Sequence, residues 1–160
     1  MDGPVISDEA KAMVGQIIRE FVSDPISLHH IREYLVGSGA STEHLPAGDD
    51  EVGISELIAP PLFFFSACRR VVPESDLLED GQHASLGVPG ITGLSVMAGT
   101  TAEIIAPVRV GDVLHAEERL ADLTEKSGRS GPLVFSETNT TYRNQRGVHV
   151  ASYSMTVVFR

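Results

Sequence analysis

One run limits what this chain can fold into more than any other: Ile58–Pro73, IAPPLFFFSACRRVVP. Pro60 and Pro61 suit the first turn of a helix, where a missing N–H leaves no intrahelical bond unmade. The residues that follow are nearly all apolar, from Leu62 to Cys68. Arg69 and Arg70 complement the negative end of such a helix, and Pro73 stops it. The spacing therefore predicts a helix that is apolar on almost every face. A helix of that kind belongs inside something that wraps around it.

The second half of the chain supplies the wrapper. Residues 100–128 read as a short strand, a Pro/Gly-Asp turn and a long strand. GPLVFSETNTTYRN (131–144) alternates with Leu133, Phe135, Glu137, Asn139 and Thr141 on one face and Val134, Ser136, Thr138, Thr140 and Tyr142 on the other. Neither face is purely apolar. VHVASYSMTVVFR (148–160) offers Val148, Val150, Tyr153, Met155, Val157 and Phe159 as inward residues. EKSGRSG (125–131) and NQRG (144–147) have hairpin turn chemistry. Upstream, DPISLHHIREYLVG reads as a helix with Ser27 as its N-cap and Gly37 near its end. DEAKAMVGQIIREFV (8–22) is open between helix and strand, and 74–94 reads as a long loop. Antiparallel strands curved round one apolar helix make the fold class α+β, in a single domain over 1–160.

Bulk charge narrows the function. Twelve basic residues against 22 acidic ones give a formal charge of -10, which argues against nucleic acid or an anionic membrane as a partner. The single cysteine, Cys68, excludes an internal disulfide and reads as a buried structural thiol. No apolar run approaches a bilayer span, and MDGPVISDEAK lacks a signal-peptide core, so a cytoplasmic location is expected.

PVRVGDVLHAEERLADLTEKSGRSGPLVFSETNTTYRNQRG (107–147) resembles the MaoC-like hot-dog family. The likeness rests on Pro107, Gly111–Asp112, EKSGRSG and YRNQRG, with IREYLVGSG and LIAPPLFFFSA upstream. It is nearest to the FAS1-like dehydratase N-terminal domains and the non-catalytic subunits of (3R)-hydroxyacyl dehydratases. The resemblance implies a central helix gripped by the sheet, and two such domains paired as a double hot dog. It also implies acyl-CoA or acyl-ACP thioesters as ligands, with water added to a trans-2-enoyl group or removed from a (3R)-3-hydroxyacyl group.

That chemistry needs a base for water, an acid for the α-carbon and N–H donors for the enolate-like oxygen. In active members a D-x-N-P-x-H segment supplies the first two, and the start of the central helix, in a segment like I-A-H-G, supplies part of the third. Here Ser38 stands at the aspartate position and Glu43 at the histidine position, with His44 one further on. The helix start is Ile58–Pro61, so Pro61 replaces a glycine N–H, while Leu62 can still offer one. No catalytic set is intact, and His44 is the residual candidate. Pro60, Pro61, Leu62, Phe63, Phe64, Phe65 and Ser66 are the expected acyl-binding residues. No cofactor or metal is expected. The adjacent His29 and His30 diverge on a helix, and His83 with Glu79 and Asp80 fits no closed site. Neither a G-x-S-x-G elbow nor a P-loop occurs.

The favoured role is a subunit of a heteromeric hydratase/dehydratase, binding the acyl group while a second hot-dog subunit brings the Asp/His dyad. The alternatives are a self-sufficient homodimeric dehydratase or thioesterase of specialised metabolism, with His44, Glu43 or His83 carrying the chemistry, and a non-catalytic acyl-binding protein.

Overall fold

The structure, a computed structural model, describes residues 6–48, 53–69, 72–77, 81, 88, 90–91, 94–129 and 131–160. The acidic residues 49–51, Arg70, Glu79, Asp80 and His83 lie outside the described residues. Five strands form one antiparallel sheet: β1 (Ile17–Val22), β2 (Ser95–Ile104), β3 (Leu114–Gly128), β4 (Gly131–Asn144) and β5 (His149–Phe159), in the order β1-β3-β4-β5-β2. Among the described residues three short α-helices accompany it: α1 (Asp8–Ala12), α2 (Leu28–Gly37) and α3 (Phe63–Ala67).

The open stretch 8–22 is both helix and strand. Ser7 caps α1 by accepting the Ala10 N–H at 3.0 Å, and Gly15, at φ 86°, turns the chain into β1. The Gly15 N–H donates to Leu120 O at 2.7 Å, which starts the β1–β3 pairing. α2 begins at Ser27, as its sequence predicts: Ser27 Oγ accepts from His30 N, and His30 Nδ1 accepts from Ser27 N. The helix buries Leu28, Ile31 and Leu35, a single stripe at helical spacing.

α3 is much shorter than the sequence predicts. It spans five residues, with Leu62 at the N-cap and Cys68 at the C-cap. The prolines precede it because residues 57–59 are held extended: Ala59 N donates to Val108 O at 2.8 Å, and Val110 N donates to Leu57 O at 3.3 Å. That tether pins the chain to the sheet until Pro60. Pro73 starts a separate 3-10 turn, Glu74–Asp76.

The buried side of the sheet carries two apolar clusters. Phe63, Phe64 and Cys68 of the α3 region pack with Ile26, Ile31, Leu114, Ala116, Tyr142 and Val150. At the other end, Ile6, Ala10, Val88 and Ile91 cover Leu120, Val134, Met155, Val157 and Phe159. Val148, expected inward, is 44% exposed because β5 begins after it. Between the clusters β3 and β4 present Glu118, Ser136, Thr138 and Thr140, all buried. This is the mixed face that the 131–144 alternation foreshadows.

Candidate functional site

The loop after α2 holds the residues at the dyad positions. Ser38 is the C-cap residue, and its hydroxyl donates to Leu35 O at 3.0 Å. Gly39, at φ 73°, then takes the left-handed conformation that ends the helix. Glu43 and His44 follow in a turn and are exposed, and among the described residues no side chain pairs with His44. Arg32 Nη2 donates to Pro46 O at 2.6 Å and ties the loop to α2. Ser38 therefore closes a helix, and among the described residues no carboxylate orients the imidazole.

Five of the seven expected acyl-binding residues line clefts on the two sides of α3. Pro60, Pro61 and Phe64 line an apolar cleft of about 300 Å³, faced by Ile104, Ile105 and Val150. Phe63 and Ser66 line a larger cleft of about 590 Å³ between α2 and α3, with Tyr34, His30 and Arg69. Phe65 tilts against Tyr153 at 4.9 Å, over the polar band, and Arg69 stacks on its ring at 4.4 Å. Leu62 is 50% exposed and lines neither cleft. Its N–H, the first after the prolines, meets no acceptor among the described residues.

Beneath α3, burial controls the titratable groups. Cys68 is buried, and desolvation pushes its thiol from 9.0 up to about 12, opposed by the nearby Arg69 charge. That places it far from nucleophilic use, in agreement with a structural thiol. Tyr142, packed edge-on against Phe64 at 4.7 Å, has its phenol pushed well above the usual range, first by burial and then by the Cys68 thiolate charge. Glu118 is held by Arg19 through two bonds of 2.9 Å, Nε to Oε2 and Nη2 to Oε1. Among the described residues no group of three or more His, Cys, Asp or Glu side chains could hold a metal ion.

A family model described as FAS1-like, dehydratase domain region matches residues 12–153. The chain belongs to this family. A mesaconyl-C(4)-CoA hydratase from Chloroflexus aurantiacus is 35% identical over 78 residues, which are 48% of this chain and 28% of that protein. The chain thus spans under a third of that relative's length. Among solved structures, the ChsH1–ChsH2 complex from Mycobacterium tuberculosis superposes with a TM-score of 0.64 at 13% identity, covering 94% of this chain and 89% of that one. The R-hydratase PhaJ1 from Pseudomonas aeruginosa gives 0.59 at 18%, over 91% and 81%. The HadBC (3R)-hydroxyacyl-ACP dehydratase complex from Mycobacterium tuberculosis gives 0.54 at 16%, over 91% and 99%. At these identities the likeness is one of fold, and the fold is the hot dog. The MaoC-like resemblance of 107–147 thus holds for the family as a whole.

Two features escaped the sequence. The Arg19–Glu118 pair joins residues 99 positions apart, and only the β1–β3 register, Arg19 opposite Glu118, brings them together. The cleft beside Arg69 depends on α3 ending at Cys68, which an apolar run without periodicity does not announce.

Proposed function

We propose that this chain is the non-catalytic half of a heteromeric (3R)-specific enoyl-thioester hydratase/3-hydroxyacyl-thioester dehydratase. It supplies acyl-binding surface, and a partner hot-dog subunit supplies the Asp/His dyad. The observation that carries this is the loop after α2. Its serine hydroxyl is bound to a helix carbonyl, and its histidine is exposed and meets no side-chain partner among the described residues. A general base needs a fixed partner and a place beside the reacting water. The two clefts flanking α3 favour acyl binding through Pro60, Pro61 and Phe64 on one side and Phe63 and Ser66 on the other. The name of the curated relative, a hydratase of an acyl-CoA, favours the same thioester chemistry.

The free edge of the sheet supports pairing with a second domain. β2 is the sheet edge, ten residues long and exposed throughout most of its length, with Val96, Met97, Ile104 and Ile105 all about half exposed. An uncovered apolar edge of that length is a template for another strand. A partner's edge strand would continue the sheet there into a double hot dog, and two of the solved neighbours are themselves complexes. The free thiol of Cys68 is in keeping with work in the cytoplasm.

The test is to purify the chain alone and with a hot-dog protein carrying an intact D-x-N-P-x-H segment, then to assay hydration of a medium-chain trans-2-enoyl-CoA. Turnover is expected only for the pair, unchanged by His44→Ala in this chain. Turnover by the chain alone, abolished by His44→Ala, would instead establish the self-sufficient homodimer.

A further inference from the structure

We propose that the cleft between α2 and α3 takes the terminal carboxylate of a dicarboxylic acyl thioester, with Arg69 as its counter-charge. This rests on the thioester reading above and adds a substrate class to it.

Arg69 differs from the arginines of the fold that are held in ion pairs. Arg19 is bound to Glu118, Arg109 to Glu56 and Arg146 to Asp112. Arg69 is half-buried at the end of α3, and its guanidinium has no carboxylate or carbonyl partner among the described residues. Its guanidinium carbon lies 4.4 Å from the centre of the Phe65 ring, and the residue also borders the small pocket lined by Glu118 and Tyr142. A face stacked on an aromatic ring leaves the edge donors of the planar fork free, and that edge matches a carboxylate bidentately.

The surroundings are built for a ligand with an apolar body and an acidic end. The cleft holds about 590 Å³, within the range of about 300–1,000 Å³ usual for small-molecule sites. Ile26, Phe63 and Cys68, all buried, form an apolar floor. His30 adds a donor whose tautomer is set by the helix cap. Nδ1 accepts the Ser27 N–H, so the neutral ring carries its proton on Nε2. Ser66 contributes a hydroxyl from α3. Asp24 and Glu33 also line the cleft; both are exposed, and Glu33 is engaged by His29 at 3.3 Å. With these carboxylates nearby and a chain charge of -10, no general field draws an anion in. Direct contact with Arg69 must do so, which favours a ligand delivered by its thioester end over a free ion.

A phosphate of coenzyme A could make the same contact, so the test separates the two sources. Calorimetric titration of the full chain, wild type and Arg69→Gln, uses succinyl-CoA, butyryl-CoA of equal chain length, and coenzyme A alone. The wild type is expected to bind succinyl-CoA about tenfold tighter than butyryl-CoA, the scale of one charge-assisted pair. Arg69→Gln abolishes that preference, leaves butyryl-CoA and coenzyme A unaffected, and keeps the wild-type circular dichroism. No preference in the wild type, or an equal loss for all three ligands in the variant, overturns the proposal, the latter by moving Arg69 to a phosphate. If no thioester binds, the function proposed above fails. Free glutarate, followed by the Arg69 Nε–H resonance, then judges the anion site alone: a saturable shift sustains it, and none overturns it.

Discussion

The Arg19–Glu118 pair offers the sharpest test of how this sheet is held together. The two residues face each other across β1 and β3, their side chains are 15% and 8% exposed, and both guanidinium–carboxylate contacts are 2.9 Å. Removing Arg19 leaves the Glu118 carboxylate buried without its bidentate partner, at about 3–5 kcal/mol, and removing Glu118 takes from Arg19 both of these 2.9 Å contacts, whereas replacing both by apolar residues of similar volume is often close to neutral. Arg19→Met and Glu118→Leu should each fall in that range, a large share of the roughly 5–15 kcal/mol that holds a domain together. With a urea slope near 2 kcal/mol/M, each single variant lowers the unfolding midpoint by about 1.5–2.5 M. The double variant recovers most of the loss, giving a coupling energy of about 4 kcal/mol or more in the cycle. Urea melts by far-UV circular dichroism suit the measurement, because the chain has no tryptophan. Single variants within about 1 kcal/mol of wild type, or a double variant equal to the sum of the singles, would refute the reasoning. The pair would then behave as a solvated surface bridge.

Other variants probe separate elements. The neutral Cys68 thiol contributes stability in full below its unfolded value of 9.0 and loses that contribution as pH climbs toward about 12. The slope there is up to ~1.4 kcal/mol per pH unit, which Cys68→Ala removes in urea melts from pH 8 to 11. The same thiol should resist alkylation at pH 8 in the folded chain and react on unfolding. Ser38→Ala loses the bond to Leu35 O and costs about 0.5–1.5 kcal/mol in urea melts without altering turnover of the assembled pair. Gly39→Ala forces a side chain to φ 73° and costs about 1 kcal/mol by the same assay. Met97→Lys on the β2 edge, where Met97 is 53% exposed, leaves the fold intact by circular dichroism. It weakens subunit association at least tenfold by sedimentation.

Legibility in the sequence followed the strength of the periodic signal. The long strands were readable because 114–128, 131–144 and 149–159 alternate and are separated by glycine turns, with Gly147 at φ 76° closing the last hairpin. α2 was readable from Ser27 and its apolar stripe. α3 was located but overextended: a run apolar on every face has no period to lose at its end, and its start depends on the distant tether to Val108 and Val110. The candidate site divides the same way. Ser38 and His44 lie where their positions in the chain put them, while Arg69 and the cleft around it exist only once α2 and α3 are packed.

The brevity of α3 follows from the sheet it covers. Five residues of helix span about 7.5 Å, and the fourteen residues of β4 extend for about 46 Å. Most of the concave face therefore needs another cover, and α1 with Val88 and Ile91 supplies it at the far end. A longer α3 crossing the middle would lay apolar surface on the Glu118 carboxylate and on the hydroxyls of Ser136, Thr138 and Thr140. Burying such groups against hydrocarbon is unfavourable by about 1–3 kcal/mol each. The polar band in β3 and β4 thus disfavours extension of the helix, and the clefts beside α3 are written into the strands as much as into the helix. The length of α3 is thus set in part by the buried threonines of β4, far in sequence from the loop that holds Ser38 and His44.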